Sequence, residues 1–237
     1  MRDIIGRING FDGSLSETGN SASYVVTMQG CPLRCLYCDN PGTWLIGDGR
    51  EVAVSEIIKD MRMYSHGRLT ITGGEPLLQP EFCRTLIEAA HNIGYITAID
   101  TPASVPIEAS REAIKASDMV VLNIKDMDKT DCEVLTGFDN FNLIDTFDYC
   151  EAIQKPVLAR YVLLPGYTMS EEKLRQLGSA ISVYSCVKRL ELIPYHKKGL
   201  PRWAMLGLNS KLINTDPPSE NEIAWSKWIL NQYIPMK

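Results

Sequence analysis

Three cysteines sit in one short run, Cys31-Pro-Leu-Arg-Cys35-Leu-Tyr-Cys38, with the spacing C-x3-C-x2-C. A cubane iron–sulfur cluster has four irons and ordinarily takes four thiolates. Three thiolates this close together can hold three corners and leave one iron without a protein ligand. An open iron can bind a substrate or cofactor directly, so the run points to chemistry more than to electron storage. The competing reading is zinc, which wants four ligands, commonly as CxxC pairs or Cys/His sets. The histidines are His66, His91 and His196, all far from the run, and this weighs against zinc. A redox CxxC is weaker still, because the loop around Leu36 and Tyr37 lacks a thioredoxin-like setting. The other cysteines, Cys83, Cys132, Cys150 and Cys186, show no paired spacing and read as small buried hydrophobes. An odd total also argues against a disulfide framework.

The elements that must position this run alternate between short β-rich stretches and longer helical patterns. Strands are expected at 24–29, 68–72, 96–100, 119–124, 160–164 and 189–193. Helices are expected at 55–64 with Ser55 as N-cap, at 80–93 with Phe82, Leu86, Ala89, Ala90 and Ile93 on one face, and at 106–116, 139–154, 170–183 and 221–233. Strand–helix alternation implies right-handed crossovers and a parallel sheet, as a partial barrel or a doubly wound sheet. In such folds the site forms at the carboxyl ends of the strands. The cysteine run, Gly73-Gly74-Glu75, Asp100-Thr101, Asn123-Ile124-Lys125, Pro165-Gly166 and Tyr195-His196 all fall just after expected strands. That common placement predicts one pocket at one rim.

The chain has 237 residues, 45% apolar and 22% charged, with a formal net charge of −5. This is ordinary globular composition. It gives no electrostatic argument for nucleic acid or an anionic membrane. No apolar run approaches the ~20 residues that span a bilayer, and the first residues carry no long apolar core of a secretory signal. No linker or repeat divides the chain, so a single domain (1–237) in a reducing cytoplasm is expected, with a cluster loop at 30–40 and a C-terminal helix at about 219–234.

The run, with an aromatic residue just before its last cysteine, resembles the signature of the radical S-adenosylmethionine (SAM) superfamily. Gly30-Cys-Pro-Leu-Arg-Cys-Leu-Tyr-Cys38, Thr72-Gly-Gly-Glu-Pro-Leu-Leu-Gln79, Arg160-Tyr-Val-Leu-Leu-Pro-Gly166 and Glu191-Leu-Ile-Pro-Tyr-His196 resemble pyruvate formate-lyase activating enzymes. The likeness runs from about Ile5 to the C-terminal helix. It implies an α/β fold, a partial (β/α)6 TIM-like barrel forming a radical SAM core. It also implies one [4Fe–4S] cluster on Cys31, Cys35 and Cys38, with SAM chelating the fourth iron. One-electron cleavage of SAM then yields a 5′-deoxyadenosyl radical, which takes hydrogen from a backbone glycine of a partner glycyl radical enzyme. The cofactor carries the hard chemistry. Flavodoxin or ferredoxin is the implied electron donor. The alternative is a radical SAM enzyme of the same fold acting on another peptide or small molecule.

The same resemblance assigns SAM contacts to Tyr37, Cys38, Asp39, Gly74, Glu75, Asn123, Ile124, Lys125, Arg160 and His196. A monovalent cation site falls on Asp100, Thr101 and Asn123, where Asn123 replaces the usual aspartate and brings no charge. Taken without the likeness, Gly73-Gly74 is a turn, Asp100 a cap, Arg160 a structural ion pair, and Trp44 and Trp203 core packing. Two departures lie on the substrate side. Gly19, Asn20, Ser21, Ala22 and Ser23 stand where the family carries Gly-Pro-Gly-Ile-Arg, and Asp39 stands where a histidine is usual. The additional cysteine-rich insert of many relatives is absent, which favours the one-cluster form. Anaerobic preparation should give a brown protein with about four irons and four sulfides per chain. Stoichiometric zinc without sulfide would refute the cluster.

Overall fold

The structure, a computed structural model, describes residues 3–13, 23–65 and 67–234. His66 and residues 19–22 of the divergent segment lie outside the described residues. Two compact units emerge from the contacts: residues 1–32 with 43–121, and residues 33–42 with 122–237.

The first unit contains β1 (Ile5–Asp12), β2 (Tyr24–Met28), β3 (Arg50–Ala53), α1 (Val54–Met61), β4 (Arg68–Gly73), α2 (Pro80–His91), β5 (Ile96–Thr101) and α3 (Ile107–Ala116). β6 (Met119–Ile124) carries the chain into the second unit. That unit holds α4 (Lys129–Thr136), α5 (Phe141–Ala152), β7 (Val157–Leu163), α6 (Glu171–Ser182), β8 (Val187–Pro194), α7 (Leu200–Met205) and α8 (Glu220–Leu230). Strand order is β3-β1-β2-β4-β5-β6 through the first unit and β6-β7-β8 through the second. β2, β4 and β5 pair in parallel, as do β7 and β8.

All six expected strands form. The alternation of buried and half-buried residues along Tyr24–Met28 and Val157–Leu163 is the period-2 pattern that revealed them. Two strands were not anticipated. β1 pairs antiparallel with β2 and β3, with an irregularity between Ile8 and Gly10. Its Gly6, Asn9 and Gly10 read as turn residues, and only sheet neighbours make them a strand. Gly6 is needed there because an added Cβ would lie 2.6 Å from the Phe82 ring. Ser55 is not the N-cap of α1. Ala53 precedes the helix, and the Ser55 hydroxyl instead hydrogen-bonds Asp3. In α2 the buried face is Phe82, Cys83, Leu86, Ile87 and Ala90. Cys83, Cys132, Cys150 and Cys186 are all buried, as their scattered positions suggested.

α4 and α7 were also missed. α4 is only eight residues long with a weak apolar face, although its boundary signals are present. Asp128 caps it by accepting from the Asp131 amide, and Gly137 ends it at φ 80°. α7 is six residues long and follows Gly199, too short for periodicity to register. Among the described residues no helix is long and apolar enough to cross a membrane.

One local network ties α2 to the entry of β6. The Thr97 amide (2.6 Å), the Thr97 hydroxyl (2.9 Å) and His91 Nε2 (3.0 Å) all meet Asp118 Oδ2. Burial pushes the Asp118 carboxyl up. The hydrogen bonds from Thr97 and His91 outweigh that and leave it below its ordinary value. A depressed carboxyl stabilises fully above the unfolded carboxylate range, and the contribution fades as pH falls through the folded value. Asp118→Asn should therefore lower stability at neutral pH, by an amount that solvent screening at this half-exposed carboxylate keeps small. Denaturant midpoints taken at decreasing pH should show the gap to the parent protein closing.

Candidate active site

The cysteine run is divided between the units. On the side of the first unit, β2 ends at Met28, and Gly30 turns the chain at φ +97°, where glycine is favoured. The Gly30 amide donates to the Thr43 carbonyl (2.8 Å) and the Cys31 amide to that of Trp44 (3.1 Å). Gln29 is fully buried and donates through Nε2 to the Leu45 carbonyl (2.8 Å). Trp44 thus serves the run through its backbone.

Gly73 and Gly74 end β4 against this same turn. The Gly74 amide donates to Met28 O (3.1 Å) and the Glu75 amide to Gly30 O (2.8 Å). A Cβ on Gly74 would stand 2.2 Å from Gly30 O and 3.1 Å from Cys31 Cβ. Gly73 has φ +125°, and a Cβ there would lie 2.3 Å from Met28 N. The pair is therefore required by the close approach of two backbones, with or without a ligand. Glu75 follows Gly74 and is fully buried, and its carboxylate accepts from the Leu77 amide, the Thr101 hydroxyl (2.6 Å), and the Ser104 amide and hydroxyl. Both oxygens are turned into the protein, so the side chain organises the β4 and β5 ends. The Thr101 hydroxyl is likewise occupied, donating to Glu75 and accepting from the Ala103 amide. Asp100 sits beside it at the end of β5.

Cys35 and Cys38 belong to the second unit. Two backbone amides fasten their segment to the C-terminal end of α4: Arg34 N donates to Thr136 O (2.7 Å) and Leu36 N to Leu135 O (2.9 Å). Those carbonyls lack helical partners at a helix end, so the loop takes positions that α4 leaves open. α7 supplies further ties. Trp203 Nε1 donates to Cys38 O (2.8 Å) and an Arg202 guanidinium nitrogen to Asp39 O (2.9 Å). Neither helix was visible in the sequence, and together they hold two of the expected cluster ligands. The Asp128 cap and the Gly137 stop were the available signal for α4.

A pocket in this unit is lined by Tyr37, Cys38, Asp39, His196 and Trp203, among others. Among the described residues, the Tyr37 hydroxyl and His196 Nδ1 are buried without a hydrogen-bond partner. Asp39 Oδ1 is 3.6 Å from His196 Nδ1, beyond hydrogen-bond reach. Unpaired buried polar atoms are costly, and two beside one cysteine fit a polar ligand. Asn123 and Ile124 end β6, and Lys125 follows, with its ammonium 5.6 Å from the Tyr37 ring centroid. Arg160 pairs with Glu191 across β7 and β8, Nε to Oε2 at 3.0 Å. The ion-pair reading of Arg160 is therefore realised.

None of the seven cysteines forms a disulfide. Burial pushes the Cys35 thiol up, against the opposing pull of Lys125, a backbone hydrogen bond and Arg34. Iron binding must therefore displace its proton. Among the described residues no three Cys, His, Asp or Glu side chains gather closely enough to share a single ion. A cubane does not require that, because each cysteine holds a different iron. The donor set and the orphaned polar atoms fit a cluster with a polar cofactor beside it. Gly74→Ala should disrupt the turn that carries Cys31, at a cost of about 1–3 kcal/mol. Iron bound after anaerobic reconstitution should fall well below the parent level, measured against thermal stability.

Residues 25–178 match the family model described as the radical SAM superfamily. The chain is 32% identical over 240 residues to the pyruvate formate-lyase 1-activating enzyme of Escherichia coli K12, covering 97% of each chain. It is 33% identical over 231 residues to the pyruvate formate-lyase-activating enzyme of Staphylococcus epidermidis, covering 92% of each. Two solved structures share the fold. A domain of pyruvate-formate lyase-activating enzyme from Bacteroides vulgatus has a TM-score of 0.58 at 22% identity, covering 69% of this chain and 92% of that one. A radical SAM methyltransferase from Sphaerobacter thermophilus has a TM-score of 0.62 at 15% identity, covering 91% and 65%. The expected fold class holds, with α/β architecture of the radical SAM core. The chain belongs to the radical SAM superfamily and, within it, to the pyruvate formate-lyase activating enzyme family.

Proposed function

We propose that this enzyme installs a glycyl radical on a partner of the pyruvate formate-lyase kind. The observation that carries the reading is family-level identity over 97% of both chains, joined to a loop that carries Cys31, Cys35 and Cys38 with no disulfide among them. As a radical SAM enzyme the chain uses a [4Fe–4S] cluster and SAM. When bound, they supply one-electron cleavage of SAM to methionine and a 5′-deoxyadenosyl radical that abstracts hydrogen.

The chain's own residues bind, orient and shield. Cys31, Cys35 and Cys38 are the proposed cluster ligands, each fixed by backbone bonds on its flanks. Tyr37, Cys38, Asp39 and His196 are the proposed walls of the SAM pocket, supported by the two orphaned polar atoms. Asn123, Ile124 and Lys125 contribute from the end of β6, and the Gly74 backbone from the end of β4. Arg160 is proposed to meet SAM while braced by Glu191. Asp100 and Asn123 are the proposed oxygen donors for a monovalent cation. The electron donor proposed is a flavodoxin or ferredoxin. A reducing cytoplasm is the proposed compartment, in keeping with cysteines that form no disulfide.

Reduced protein with SAM should release 5′-deoxyadenosine, and Cys35→Ala should abolish this. With a pyruvate formate-lyase-like partner encoded nearby, electron paramagnetic resonance should show a stable protein radical. Release of 5′-deoxyadenosine without a radical on any such partner would redirect the reading to another substrate on the same fold.

A further inference from the structure

A partly buried charge cluster lies one helix away from the cysteine loop. Lys173 of α6 places its ammonium 2.6 Å from Asp126 Oδ2 and 2.6 Å from Asp131 Oδ2. The Asp126 side chain is only 2% exposed and that of Lys173 16%. Asp126 stands two residues past the end of β6, and its other oxygen accepts from the Asp128 amide (2.9 Å). Asp128 caps α4, and Asp131 lies in the first turn of α4. One ammonium therefore grips the loop entering α4 and the first turn of the helix itself. Asn140 Nδ2 holds the same loop by donating to Met127 O (2.7 Å).

The other end of α4 is what Arg34 and Leu36 hold. Eight helical residues span about 12 Å, and a short hydrogen-bonded helix moves as a body. A displacement of its first turn reaches the Leu135 and Thr136 carbonyls. We propose that Lys173 is a positioning residue for the cysteine loop, fixing α4 through Asp126 and Asp131 so that its terminal carbonyls hold the segment bearing Cys35 and Cys38. Without the ammonium, two carboxylates face each other across the start of α4 and drive it apart. Burial alone would push the Lys173 ammonium down. The two carboxylates outweigh this and hold it protonated.

The iron arm of the test rests on the cluster reading above; the exchange arm does not. Hydrogen exchange is followed on the full chain, anaerobically reconstituted and metal-free, for Lys173→Met, Lys173→Arg and a control, Ile181→Ala. Ile181 is fully buried on the same helix and lies outside the clamp, so its loss lowers stability without touching α4. In Lys173→Met, amides at 34–38 should exchange at least about tenfold faster, iron should pass to a chelator faster, and the reduced-cluster resonance should broaden. Lys173→Arg should restore all three, and Ile181→Ala should leave loop exchange unchanged. Asp131→Asn removes only the more exposed arm and should give a smaller rise, which serves if Lys173→Met does not fold. Unchanged loop exchange in Lys173→Met and Asp131→Asn, or an equal rise in Ile181→Ala, would overturn the proposal. A loosened loop in a chain that never binds iron would refute the cluster reading and leave the clamp standing.

Discussion

Backbone hydrogen bonding of the cysteine loop is the constraint on which the site depends. The loop that carries Cys31, Cys35 and Cys38 is part of no sheet or helix, so its own amides and carbonyls need partners elsewhere. They find them at carbonyls of Thr43 and Trp44, at the C-terminal end of α4, and at the side chains of Trp203 and Arg202. Each bond contributes only about 1 kcal/mol. Their joint effect is to hold the thiol-bearing segment in place.

The glycines and buried charges serve the same end by different physics. Gly73 and Gly74 act by absence, because any side chain there would collide with the Met28 or Gly30 backbone. Glu75 acts by satisfaction. A carboxylate with no exposure is tolerable because four donors surround it, and those donors tie the ends of two neighbouring strands. Burial and these four partners make Glu75 a brace between strand ends.

Much of the fold was legible in the chain. The six parallel-type strands and the longer helices announce themselves through period 2 and period 3.6, since each presents an apolar face to a core. The spacing of Cys31, Cys35 and Cys38 was legible for a different reason: spacing within one loop is a local property. β1 was not legible, because Gly6, Asn9 and Gly10 favour turns until β2 and β3 flank them. α4 and α7 escaped because eight and six residues carry too little periodicity.

The sequence by itself determined the alternation of strands and helices, the spacing of the thiols, and the family that both define. Only the tertiary structure decided what holds the thiols in place, that Glu75 faces inward, and that Arg160 is braced by Glu191. The division has one physical cause. Apolar periodicity and ligand spacing are written along the chain within a few residues, whereas hydrogen-bond partners such as Leu36 and Leu135, or Cys38 and Trp203, are separated by about a hundred residues or more. They exist only once the chain has folded.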